Sequence, residues 1–139
     1  MLIGFLILFA VAGSIASSEK ATIAAKSVLF IDLSRSFKDK KTDNTLARLS
    51  GDRDIYSTSL YDVVRLLQHA KSDSSVRGIY IKCNENANGF AASEELRNAL
   101  LDFKESKKFV IAYGDMISQK AYFVASVADK IDCNPKGII

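Results

Sequence analysis

The chain has 139 residues, 48% of them apolar, which is enough to bury one core. Its formal net charge is only +3, and no basic stripe interleaves with aromatic residues, so a nucleic-acid partner is not implied. Cys83 and Cys133 stand far apart and form no CxxC pattern; they read as small buried apolar residues, with a disulfide between them open only in an oxidising compartment.

The chain opens on "LIGFLILFAVAGSIAS", and its first charged residue is Glu19. A membrane span takes roughly 20 apolar residues, so this run is short. No Lys or Arg precedes it, although "SIASS" could serve as a small-x-small cleavage site. The absence of a polar face argues against a core helix. The favoured reading is a membrane anchor over 1–17, with a cleaved signal segment as the alternative. A linker of small and charged residues follows over 18–27.

"SVLFIDLS" is a continuous apolar run with β-branched members, the pattern of a buried strand. Residues 35–59 are charged and aperiodic, and read as a solvated loop or a partner-binding excursion. From Leu60, apolar residues recur at helical spacing through Val63, Val64 and Leu67, after caps at Ser57 to Ser59. "RGIYIKC" is a second strand. "NENANGFAA" reads as a polar loop, and Ser93 as the cap of a second helix with Glu94 and Glu95 in its first turn. Leu96, Leu100, Leu101 and Phe103 supply that helix's apolar positions. "KKFVIAYGD" is a third strand, Gln119 to Val127 a third helix, and "DKIDCN" a short fourth strand, with Pro135 and Gly137 marking a turn.

The order β-α-β-α-β-α-β argues for an α/β fold with a parallel sheet and right-handed crossovers. Ligands of such sheets gather at the carboxyl ends of the strands. Asn84 to Phe90 and Asp115 to Lys120 belong there. The close on "PKGII" reads as a domain incomplete at its C-terminus.

The candidate chemistry is thin. Ser118 opens the third helix, with Lys120 two residues on. A Ser-Lys dyad needs a deprotonated amine within about 3 Å of the hydroxyl, and positions i and i+2 of a helix face different sides. The simpler reading makes Ser118 a helix cap and Lys120 a surface cation. His69, the only histidine, sits near a helix end where a cation suits the dipole. Glu94 and Glu95 diverge as helix neighbours. No HExxH, GxGxxG or P-loop is present, and no metal or cofactor is implied.

Taken together, "VLFIDLS", "SLYDVVRLLQHAKSDSSVRGIYIKC", "AASEELRNALLDFKESKKFVIAYGD" and "YFVASVADKIDCNPKG" resemble the signal peptide peptidase A (protease IV) family, most closely the first of the two repeats of its long form. The resemblance covers 28–139. It implies a fold of the Clp protease/crotonase type and, for an intact member, a membrane-bound serine protease with a Ser-Lys dyad that digests cleaved signal peptides within an oligomeric bowl. Membrane lipid, signal-peptide fragments and further copies of the chain are its implied partners. The implied location is the cell membrane, single-pass, with the domain on the periplasmic side.

In the catalytic copy of this domain the turn reads like A-S-G-G-Y. This chain places Gln119, Lys120 and Ala121 where that copy has Ser, Gly and Gly. Ser118 falls one position early, which swings a helical side chain by about 100°. The resemblance therefore implies no catalytic residue in this segment. Gly89, Ser118 and Gln119 mark turns along the substrate groove, and "NANGF" keeps one glycine where the catalytic copy has a pair. The general-base lysine is expected beyond residue 139, and Lys130 matches a structural segment instead. The alternatives are a non-catalytic, membrane-tethered scaffold and a crotonase-like enzyme acting on acyl-CoA.

Overall fold

The computed structural model describes residues 26–37 and 59–138. The expected anchor over 1–17, most of the expected linker and most of the charged loop lie outside the described residues. Among the described residues four strands alternate with three helices: β1 (Ser27–Asp32), α1 (Leu60–Ser72), β2 (Val76–Lys82), α2 (Phe90–Lys104), β3 (Phe109–Met116), α3 (Gln119–Ala125) and β4 (Lys130–Ile138). The strands form one parallel sheet in the order β1-β2-β3-β4, as the alternation predicts. Among the described residues no helix is long and apolar enough to cross a membrane.

The strand pleat sends alternate residues to opposite faces. One face carries the rows Leu29–Ile79–Val110 and Ile31–Ile81–Ala112–Ile131. These pack with Leu67 of α1, Leu96, Leu100 and Phe103 of α2 and Val124 of α3 into a single core. The helices therefore lie together on this face, as same-handed crossovers between successive neighbours require. Fully burying a side chain such as Leu100 or Phe103 contributes roughly 1.5–3 kcal/mol. The opposite face carries Val28, Phe30, Tyr80 and Ile111, with the Phe30 and Tyr80 rings stacked at 5.9 Å. Phe30 there is 59% exposed.

Local sequence sets the helix ends. Ser59 caps α1: its hydroxyl accepts from Asp62 N at 3.2 Å and donates to Asp62 Oδ2 at 2.8 Å. The second helix departs from expectation. It starts at Phe90 behind an N-cap at Gly89, so Ser93 is not the cap and no acid lies in the first turn. Ser93 is instead buried inside the helix, and its hydroxyl donates to Gly89 O at 2.8 Å, the i−4 carbonyl. Leu101 falls on the exposed side of α2.

Pro135 and Gly137 also depart from a simple turn. Strand β4 runs on to Ile138, but it advances from Cys133 to Ile138 while β3 advances only from Gly114 to Met116. The extra residues form a bulge, the place in a sheet where proline is tolerated. Within it Asn134 Oδ1 accepts from Lys136 N at 3.0 Å, so the turn chemistry is present without ending the strand. Gly137 is required by close approach: a Cβ there would lie 2.0 Å from Asp115 O.

Candidate functional site

An open cleft of about 490 Å³ lies at the carboxyl ends of the strands. Its walls come from the segments after β1 and β2, from the end of β3 with the turn into α3, and from the tip of β4. Open parallel sheets place ligands at this end.

Three asparagines of the "NENANG" loop hold these walls together. Asn84 Oδ1 accepts from Asp115 N at 2.8 Å, and Asn84 O accepts from Ser118 N at 3.0 Å. Buried Asn86 donates through Nδ2 to Ser93 Oγ at 2.9 Å and to Lys120 O at 3.2 Å. Its Oδ1 accepts from Asn88 N at 3.0 Å. Buried Asn88 in turn accepts from Phe37 N at 2.7 Å and donates to Arg35 O at 3.1 Å. The exits of β1, β2 and β3 and the interior of α2 are thus tied by side-chain amides, each of which carries both a donor and an acceptor. Read as sequence, this loop shows only polarity. The signal it does carry is the asparagine at every second position directly after a strand.

Asp115 and Asp32 at the mouth are each held by neighbouring side chains. Asp115 Oδ1 accepts from Asn134 Nδ2 at 3.0 Å and from Tyr113 OH at 2.9 Å. These bonds, Asn134's first, hold its carboxyl below the usual carboxylate range, and the same contact raises the Tyr113 phenol. Burial works to raise Asp32, but bonds from Ser34 and the neighbouring Lys82, whose Nζ lies 3.5 Å away, outweigh it and leave Asp32 lowered. Met116 and Ile138 add exposed apolar surface beside them, 61% and 64% accessible.

Ser118 lies in the cleft wall and caps α3, accepting from Ala121 N at 3.3 Å. No hydrogen bond joins its hydroxyl to the Lys120 side chain; Lys120 enters the site through its main-chain carbonyl. Gln119 is the exposed first residue of α3. Gly89 caps α2 and is not part of the cleft lining. His69 is exposed on α1 and borders a separate hollow of about 290 Å³ beside the start of β2, at the opposite end of the sheet. Glu94 and Glu95 are exposed on α2, and Lys130 pairs with Asp132 at 2.7 Å.

Cys83 and Cys133 are both free. They share a row across the sheet with Gly114 between them, because Lys82 pairs with Tyr113 and Gly114 with Cys133. Two strand spacings separate their backbones by about 9.5 Å, beyond disulfide reach. Burial, then the neighbouring Cys133, pushes the Cys83 thiol up to about 11. Among the described residues no three His, Cys, Asp or Glu side chains gather as a metal-ligand set.

No family model matches the chain. It is 31% identical over 146 aligned positions to Protease 4 of Haemophilus influenzae, an alignment that covers 99% of the chain and 24% of that protein. It is 31% identical over 132 positions to Protease 4 of Salmonella typhi, covering 88% of the chain and 21% of the relative. The chain spans about a quarter of the length of the curated relatives it matches.

Proposed function

This chain belongs to the signal peptide peptidase A (protease IV) family, and we propose that it is the anchoring and scaffolding part of a membrane-bound serine protease that digests cleaved signal peptides. Its described domain corresponds to the first, non-nucleophile repeat of a Clp protease/crotonase-like fold. The nucleophilic serine and the general-base lysine of the Ser-Lys dyad lie outside residues 1–139. The segment over 1–17 tethers the domain to the membrane, the domain faces the periplasm, and several copies assemble around the substrate.

The observation that carries this reading is the similarity to Protease 4 along nearly the whole chain. The geometry supports it in two ways. The cleft lies where the strands of an open parallel sheet end, the usual ligand position. The turn that the resemblance sets against the nucleophile holds Gln119, and the neighbouring Ser118 hydroxyl serves as a helix cap. An alcohol with no hydrogen bond to a base among the described residues is not an activated nucleophile.

The test uses the native protein from its source. Membrane and soluble fractions are separated, the product is identified by mass, and the membrane fraction is assayed for cleavage of a synthetic apolar leader peptide. A membrane band several times the 15.2 kDa of this chain, with peptidase activity, is the expected result. A band near 15 kDa without activity favours the second reading, a tethered non-catalytic scaffold, which the committed Ser118 hydroxyl equally suits.

A further inference from the structure

The geometry points to Asn84 as a substrate-binding residue whose side-chain N–H group donates to a main-chain carbonyl of an extended peptide in the cleft. This rests on the peptidase reading above and adds the residue that would hold the peptide.

The orientation of the Asn84 amide is fixed by chemistry. The main-chain N–H of Asp115 needs an acceptor, and Asn84 Oδ1 answers it at 2.8 Å. The Asn84 backbone is clamped as well, since its carbonyl accepts from Ser118 N at 3.0 Å. The side chain also packs closely over Gly114, where an added Cβ would lie 3.1 Å from Oδ1. With the oxygen engaged, Nδ2 is left with two N–H donors and no protein partner among the described residues, in a half-buried residue that lines the cleft. A donor held this way loses little conformational freedom when a ligand arrives, which favours binding.

The neighbours choose the ligand class. Glu85 and Asp115 are exposed carboxylates on the same wall, and Asp115 is held ionised by its bonds. They repel an anion. Lys82 is matched by Asp32. Met116 and Ile138 offer exposed apolar surface alongside. A neutral carbonyl flanked by apolar side chains meets all of these conditions, and the main chain of an apolar peptide supplies it.

The decisive variant is Asn84→Asp. It keeps an oxygen for Asp115 N–H and replaces the donor with a charged oxygen. The probe is a fluorescein-labelled decapeptide of Ala, Val and Leu, blocked at both ends, titrated against the full-length protein at high salt so that the added charge is screened. The amide resonances of Asp115 and Ser118 report whether the wall has moved. Weaker binding by about fivefold with those resonances in place is the expected result. Equal affinity overturns the role of Asn84 and leaves the peptide cleft standing. Weaker binding with both resonances displaced makes Asn84 a structural clamp only and overturns the proposal. If the unmodified protein does not bind the peptide, the peptidase reading of this cleft falls and this inference with it.

Discussion

Ser118 Oγ accepts the main-chain N–H of Ala121 at 3.3 Å, so the one hydroxyl that the β3–α3 turn presents caps its own helix. Replacing it with alanine leaves an N-terminal N–H of α3 without its partner. Ser118→Ala is expected to lower unfolding stability by about 1 kcal/mol in denaturant titration, while Ser118→Asp restores most of the loss. Peptidase activity of the full-length protein should be the same in all three. A loss of activity that outlasts restored stability would give Ser118 a chemical role after all.

Asn86 is the junction of the amide network, and its loss strands several buried groups at once. Lys120 O, Ser93 Oγ and the Asn88 amide each lose a bond in Asn86→Ala. A buried polar group left unpaired costs roughly 1–3 kcal/mol, so a combined cost of about 3 kcal/mol is expected from the denaturation midpoint. A cost under 0.5 kcal/mol would mean that the network does not hold the strand exits together.

Gly114 exists to admit Ile117. A Cβ on Gly114 would stand 2.6 Å from Ile117 Cγ1, and Ile117 is buried. Gly114→Ala should destabilise by about 1–3 kcal/mol through overpacking. In the double variant with Ile117→Ala the two costs should fall short of additive, because the small side chain at 117 makes room for the methyl group at 114. Strict additivity would contradict the contact.

The cysteines should behave as two unequal thiols. Cys83 is fully buried with its thiol raised to about 11, while Cys133 is partly exposed. Under native conditions an alkylating reagent should modify Cys133 well before Cys83, as read by peptide mass mapping. Unfolding without reductant should release two alkylatable thiols per chain. A chain that takes up none would reveal a disulfide that the sheet spacing forbids.

Acid sensitivity should trace in part to Asp129. Its carboxylate is held below the ordinary value of 3.8 by Lys104, 2.8 Å away, and then by the main-chain N–H of Val110, also at 2.8 Å. A lowered folded-state pKa contributes stability above the unfolded value, and that contribution fades as pH falls through the folded one. Asp129→Asn should therefore flatten the decline in thermal midpoint below pH 3.8 and leave its slope near pH 7 unchanged. An unchanged acid limb would remove Asp129 from the account.

Most of the fold was legible because the strands are buried runs and the helices repeat their apolar residues at fixed spacing. "RGIYIKC" and "KKFVIAYGD" can be little else, and Ser59 and Ser118 cap where the sequence places caps. The misreadings share one cause, which is that local turn residues can be absorbed by tertiary contacts. Ser93 looks like a cap, but Asn86 and Gly89 O take its hydroxyl inside the helix. Pro135 and Gly137 look like a strand end, but the bulge against Asp115 lets β4 continue. The site was half legible. Its position followed from strand order, whereas the asparagine network could not be read, because hydrogen bonds over 34 to 53 residues leave no local pattern.

The most direct test treats the native full-length protein with a serine-directed phosphonate and maps the adduct by mass spectrometry. One modified serine is expected, carried on a peptide from outside residues 1–139, with the peptide bearing Ser118 untouched. An adduct on Ser118, or no adduct on any serine of a peptidase-active preparation, would contradict it.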